Sequence, residues 1–250
     1  MAQFRKTGGS WGIVISMIVG LLIFSFVTSN NPGTFGITVL SGLFQGMLLF
    51  LVASGLSIVF GLMDVLNFAQ GGFFMIGAYV AFDVHHPGGL IDLTNTIPNT
   101  DIRFIVAVIA AVIVGGLIGA ALERGLLRPL YARPIFQLVL TFGVSLVMIE
   151  AVRFIWNTTP YSWTVLFGVR EGYFTLLGQQ FSTYRLFVIA IGIVLIVSIA
   201  LLLQRTRIGI IIRAGVEDSA MVEALGINVR AVFTLVFTFG CAIAAFGGAI

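Results

Sequence analysis

Charge is what this 250-residue chain has least of. Asp, Glu, Lys and Arg together make up 9% of it, against 59% apolar residues, and its mean hydropathy is +1.11. A soluble domain carries about 25% charged residues. A chain this poor in charge cannot cover a water-facing surface, so lipid must be its solvent and a soluble enzyme is excluded. Lys6 is the single lysine, and no G-x-x-x-x-G-K-[ST] phosphate loop occurs. If the chain works with ATP, the ATPase is another polypeptide. The one cysteine, Cys241, lies inside an apolar run, so no disulfide forms within the chain and the redox compartment is unreadable. The two histidines, His85 and His86, are adjacent and cannot easily both face one metal from a regular helix. They read as outer-loop residues. Nothing resembles a zinc site or a nucleophilic triad, and no cofactor, metal or catalytic residue is expected.

What is present is a series of apolar runs. A spanning helix needs about 20 residues at about 1.5 Å each to cross a core of about 30 Å. Six runs come close: Trp11–Ser29, Ile37–Phe60, Phe104–Leu122, Ile135–Trp156, Leu186–Leu203 and Val232–Ile250. A seventh, Phe73–Phe82, is too short to cross alone; it extends back through Gly71 and Gly72 or forms part of a broken helix. The expected fold is an all-α, polytopic transmembrane bundle of about seven membrane segments in one domain over residues 1–250. The first run also has the basic residues and small residues of a signal peptide, but its apolar stretch from Trp11 to Val27, 17 residues long, exceeds the usual 7–15 and favours a retained helix. The chain stops inside an apolar run at Gly247-Gly248-Ala249-Ile250, from which further helices beyond it are expected.

Basic residues set the orientation. With the N-terminus cytoplasmic, segments 1–10, 61–72, 123–134 and 204–231 are inside and hold nine Lys and Arg, while the outer segments hold Arg103, Arg170 and Arg185, with Arg153 at a border. That asymmetry follows the positive-inside rule, so it explains the net charge of +3 without nucleic acid. The outer segment 157–185 carries Tyr161, Trp163, Tyr173 and Tyr184, residues suited to the membrane interface.

Four constellations stand out. Between the second and short runs lie Gly61, Asp64, Asn67 and Gln70. The last three recur at helical spacing and can share one face. A carboxylate beside hydrocarbon costs about 2.5–3.5 kcal/mol on insertion scales, and broken helices at membrane depth are tolerated where they line a path. A translocation pathway and a solvated turn are both open here. The longest inner segment, 204–231, holds four Arg and three acids. Within it Val216–Leu225 can form a short helix with Gly226 as its left-handed stop, suited either to docking a soluble partner or to an ordinary connector. Small-residue pairs Gly42/Gly46, Gly115/Gly119 and Ala244/Gly248 allow close helix packing. Glu150 and Arg153, one turn apart, can hold each other at the interface.

Two stretches together resemble a known family. Ser54–Phe82, SGLSIVFGLMDVLNFAQGGFFMIGAYVAF, and Thr206–Val229, TRIGIIIRAGVEDSAMVEALGINV, are similar to the N-terminal signature and the cytoplasmic coupling loop of LivH-type permease subunits of branched-chain amino acid ABC importers. Glu123–Pro134 resembles their first basic inner loop. The resemblance implies a non-enzymatic subunit in a bacterial inner membrane, working with a second permease subunit, two cytoplasmic ATPase subunits and a periplasmic substrate-binding protein. It implies a pathway near Gly61, Asp64, Asn67 and Gln70, and an ATPase contact at Arg213, Glu217, Asp218, Leu225 and Gly226. Relatives carrying urea or short amides share much of the pattern, so the substrate stays open. An ion-coupled secondary transporter using Asp64 or Glu150, and a membrane scaffold without flux, are the alternatives.

Overall fold

A computed structural model describes residues 3–29, 31–131, 133–157, 161, 168, 172–176, 178–217 and 219–250. Asp218, Trp163 and Arg170 lie outside the described residues. The described chain is helical, with one small hairpin. Helices α1 (Gln3–Thr28), α2 (Pro32–Met63), α3 (Gln70–His85), α4 (Thr100–Leu122) and α5 (Pro134–Trp156) are followed by the antiparallel strands β1 (Tyr173–Leu176) and β2 (Gln179–Ser182). Then come α6 (Thr183–Arg205), α7 (Arg207–Glu217), α8 (Ser219–Ala224) and α9 (Val229–Ala249).

Local chemistry sets the ends. Asn31 caps α2 by accepting the Gly33 amide at 2.9 Å, with Pro32 at the first helical position, where its missing N–H costs nothing. Asn99 accepts the amides of Asp101 and Ile102 at the start of α4, and Asn228 does the same for Ala231 at the start of α9. α2 ends on Asp64 in the left-handed region at φ 55°, its amide bonded to Phe60 O at 2.9 Å. Asp tolerates that conformation better than most residues.

Among the described residues, five helices are long and apolar enough to cross a membrane: Pro32–Met63, Thr100–Leu130, Pro134–Trp156, Thr183–Arg205 and Val229–Ala249. Ile15–Thr28 adds a shorter apolar helix. Their outward faces remain uncovered; Leu117, Val139, Phe142 and Val194 are exposed, as side chains facing lipid must be. α9 is the centre of the bundle, packed on α2, α3 and α4, while α5 flanks α3 and α6 flanks α2. Its buried residues include Val236, Phe237, Gly240, Cys241, Ala244 and Ala245.

The small residues govern how closely these helices meet. A Cβ at Gly77 in α3 would collide with the Ala245 backbone of α9, and one at Gly248 with the Phe74 backbone. Gly55 of α2 and Gly240 of α9 lie directly against each other. Gly115 and Gly119 of α4 sit against Ala245 and Cys241. Of the expected packing pairs, Gly115/Gly119 and the Gly248 end of Ala244/Gly248 make close contacts, whereas Gly42 and Gly46 have nothing within 4 Å.

Several sequence expectations are corrected. The short run grows to the 16 residues of α3, about 24 Å at 1.5 Å per residue, still short of a full crossing. Its last residue is His85, which is buried, as is His86; neither is a loop residue open to solvent. The segment 123–134 is largely a continuation of α4, first as a π-helical turn over Glu123–Leu127 and then a 3₁₀ turn over Arg128–Leu130. The helix expected over Val216–Leu225 instead begins at Arg207 as α7, and α8 follows from Ser219. The segment after α5 contains the small hairpin β1–β2 within the expected helical bundle.

Candidate functional site

Asp64 does not share a face with Asn67 and Gln70, because residues 64–67 are not helical. Asp64 is exposed at the turn after α2. The chain then runs back into the bundle, and Asn67 and Gln70 are buried at 1% and 4% exposure. The Asn67 amide nitrogen donates to Gln70 Oε1 at 3.2 Å and to Cys241 Sγ at 3.8 Å, while Asn67 Oδ1 accepts the Ala69 amide. Gln70 Nε2 donates to Gly240 O at 3.1 Å. Gly240 lies about 16 Å along α9 from Val229 at 1.5 Å per residue. α3 therefore begins partway across the membrane, and these two amides supply hydrogen bonds where water cannot. Gly61 faces elsewhere. It lines an apolar cavity of about 410 Å³ between α2 and α6, with Ser54, Ser57, Ile196 and Leu203 among the other walls.

The segment after α6 has a second organisation. In α7, Ile212 is buried in a cluster with Ile58, Val236 and Ile243, while Arg213 is exposed and its Nε donates to Gly209 O at 3.4 Å. In α8, Val222 is buried, Met221 is 60% exposed and Leu225, just beyond it, is 70% exposed. The helix ends at Gly226 with φ 82°. The Gly226 amide donates to Glu223 O at 2.9 Å and the Ile227 amide to Val222 O at 3.3 Å, the paired bonds of a Schellman stop. Glu217 is exposed. Arg213, Glu217, Leu225 and Gly226 are thus all surface residues of one segment, which Ile212 holds to the bundle. Glu150 and Arg153 form the expected pair at 2.7 Å, exposed at the end of α5.

One site was missed from the sequence. Glu123, fully buried, accepts a hydrogen bond from Thr234 Oγ1 at 2.6 Å and another from the Tyr131 hydroxyl. It ties the π-turn after α4 to α9. Burial first, and the Glu123 carboxylate second, push the Tyr131 phenol well above its ordinary value, so the hydroxyl stays a donor at working pH. The only hint in the sequence was an acid ending an otherwise uncharged run. Glu123→Ala is expected to destabilise the protein by about 1–3 kcal/mol by leaving the Tyr131 hydroxyl without its acceptor. Glu123→Gln, which keeps a carbonyl acceptor, should cost less. Thermal unfolding of both variants in detergent checks this, and equal melting temperatures for Glu123→Ala and wild type would refute it. Because the phenol is raised, its contribution is present below about pH 10, the ordinary tyrosine value, and fades only as pH rises through the folded value.

Among the described residues, no group of three or more His, Cys, Asp or Glu side chains could hold a metal ion.

Comparison with known proteins decides the family. The profile described as "Branched-chain amino acid transport system / permease component" matches residues 38–250. The chain belongs to this family. It is 28% identical over 208 residues to the high-affinity branched-chain amino acid transport system permease protein BraD of Pseudomonas aeruginosa, covering 82% of this chain and 66% of BraD. It is 24% identical over 216 residues to LivH of Escherichia coli K12 and 25% identical over 216 residues to LivH of Salmonella typhimurium, covering 84% of this chain and 68% of each relative. The chain thus spans about two thirds of the length of these relatives. No solved structure gives a significant match. The permease is a multi-pass membrane protein, and both stretches that carried the resemblance fall inside the matched region.

Proposed function

We propose that this chain is a membrane subunit of an ABC importer that takes up branched-chain or related small amino acids. The observation that carries the reading is the family match across residues 38–250, which includes both the re-entering segment and the α7–α8 segment. In this reading the N-terminus and α7–α8 face the cytoplasm of a bacterial inner membrane. A second permease subunit completes the pathway, a periplasmic binding protein delivers substrate, and two ATPase subunits close below. The chain performs no covalent chemistry.

Two features support the division of labour. The exposed Met221 and Leu225 and the exposed charges of Arg213 and Glu217 offer apolar anchors and polar groups to a docking partner; we assign Gly226 to the same contact, and Asp218, outside the described residues, on the sequence alone. In this reading Gly61, exposed on α2, and Asp64, exposed at the turn after it, stand nearest the pathway. Asn67 and Gln70 fix the depth of α3 from behind, through α9.

The test is reconstitution. In liposomes the purified chain alone should neither hydrolyse ATP nor accumulate leucine, and flux should appear when a second permease, two ATPases and a binding protein are added. In that complete system Asp64→Ala should reduce flux while leaving ATPase association intact. Leucine uptake by the chain alone, driven by a proton or sodium gradient, would instead establish the secondary-transporter reading. Undiminished flux in Asp64→Ala would return that residue to a solvated turn.

A further inference from the structure

We infer that the end of the bundle opposite the arginine-rich α7–α8 segment carries a receiving site for a primary ammonium group, built around Asp83. A cavity of about 400 Å³ opens there between the ends of α3 and α5, lined by Phe82, Asp83, His86, Gly89, Trp156 and Tyr161, among others. Its volume falls within the range of about 300–1,000 Å³ typical of small-ligand sites.

Three independent features make it attract a cation. The first is Asp83 itself, 3% exposed. Its Oδ1 accepts the Leu90 amide at 2.9 Å and the Trp156 indole Nε1–H at 3.3 Å, and its Oδ2 accepts the Ile91 amide at 3.1 Å. All three partners are neutral, and no described Lys or Arg forms an ion pair with it. A buried carboxylate held this way keeps lone-pair capacity on Oδ2, and a bound cation would supply the counter-charge that buried ions need. The second is helix direction. α3 finishes at His85 and α5 at Trp156, so two C-terminal ends, each with a partial negative charge, converge on the cavity. The third is the wall. Phe82, Trp156 and Tyr161 all line the cavity, with Phe82 4.8 Å from the Tyr161 ring and stacked on His86 at 4.0 Å. Aromatic faces attract a desolvated ammonium. The turn is shaped to hold the carboxylate in place: a Cβ at Gly89 would sit 2.5 Å from Asp83 Oδ1.

In naming an amino acid as the occupant, the inference rests on the importer reading. The ammonium sits at Asp83 and the aliphatic side chain against the aromatic wall, before the substrate moves deeper. The full-length protein in nanodiscs tests it, carrying Trp11→Phe and Trp163→Phe so that Trp156 is the remaining indole. Its fluorescence should respond saturably to leucine and to leucinamide, which keep the ammonium. N-acetylleucine, which lacks it, should bind at least about tenfold more weakly, the scale of one hydrogen bond to a charged group. Asp83→Asn should weaken leucinamide binding by a similar factor, while Glu150→Gln, at an exposed acid of α5 paired with Arg153, should not. Should Asp83→Asn fail to fold, Tyr161→Ala at the exposed rim should weaken leucinamide binding severalfold by removing one aromatic face. Equal affinity for N-acetylleucine and leucinamide, unchanged binding in both Asp83→Asn and Tyr161→Ala, or no saturable response would overturn the site. Leucinamide binding with no leucine flux in the complete reconstituted system would leave the site standing and remove the importer reading. Normal flux without binding here would do the reverse.

Discussion

Gly77→Val is expected to abolish accumulation of folded protein in the membrane. Gly77 lies in α3 where the Ala245 backbone of α9 passes against it, and a Cβ there would strike main-chain atoms. A backbone cannot move aside as a flexible side chain can. The cost therefore exceeds the about 1–3 kcal/mol of ordinary overpacking. Two consequences compound it. α3 would be pushed off α9, and with it Gln70, whose bond to Gly240 O leaves a buried amide unsatisfied when broken, at a further cost of about 1–3 kcal/mol. Gly42→Ala in α2 is the control, because nothing lies within 4 Å of a Cβ at that position. It should leave stability unchanged or raise it slightly, since alanine is the better helix former by about 0.5–1 kcal/mol. Size-exclusion profiles of fluorescent fusions and melting temperatures measure both. A monodisperse Gly77→Val with a wild-type melting temperature would show that the two helices do not meet there.

Leu225→Asp should abolish transport while leaving the protein in the membrane. Leu225 is 70% exposed and follows a helix whose Val222 is buried instead, so the substitution removes no core contact. In the docking role proposed here, it places a carboxylate where an apolar anchor would be desolvated. Losses above about 2 kcal/mol are characteristic of such anchors, more than a tenfold weakening of ATPase association. The same segment can be located chemically. Cys241 is fully buried, so a cysteine introduced at the exposed Ala224 is the accessible thiol. It should react with a membrane-impermeant maleimide in inside-out vesicles, and bound ATPases should slow the reaction. Labelling from the outer face would invert the proposed topology. Wild-type transport and ATPase binding in Leu225→Asp would make the segment an ordinary connector.

What the sequence determined by itself follows from solvent and period. The scarcity of charge and the apolar runs fixed a membrane-spanning helical bundle, and the short run Phe73–Phe82 marked a helix that does not cross alone. Gly226 announced a left-handed stop because a residue without a Cβ adopts positive φ freely, and Glu150 with Arg153 announced a pair because one turn separates them. Two stretches of specific residues also carried the family. These are local properties, or properties of composition, and they survive without knowledge of neighbours.

Tertiary structure decided the rest, since it depends on which helices meet and at what depth. Helical spacing placed Asp64, Asn67 and Gln70 on one face, yet the left-handed turn at Asp64 sends the carboxylate outward and the two amides inward, towards an α9 backbone about 170 residues later in the chain. Spacing marked Gly42 and Gly46 as readily as Gly115 and Gly119, but only α4 has α9 against that face. Glu123 reads as a charge at the end of a helix until Thr234 and Tyr131 are seen to enclose it. Asp83 and Trp156 are 73 residues apart and share no motif; their meeting is created by α3 and α5 ending side by side. Hydrophobic patterning specifies that a helix is buried, but in lipid every apolar face is equally at home. The choice of partner then falls to close steric fit and to a few buried hydrogen bonds, and neither is written in the local sequence.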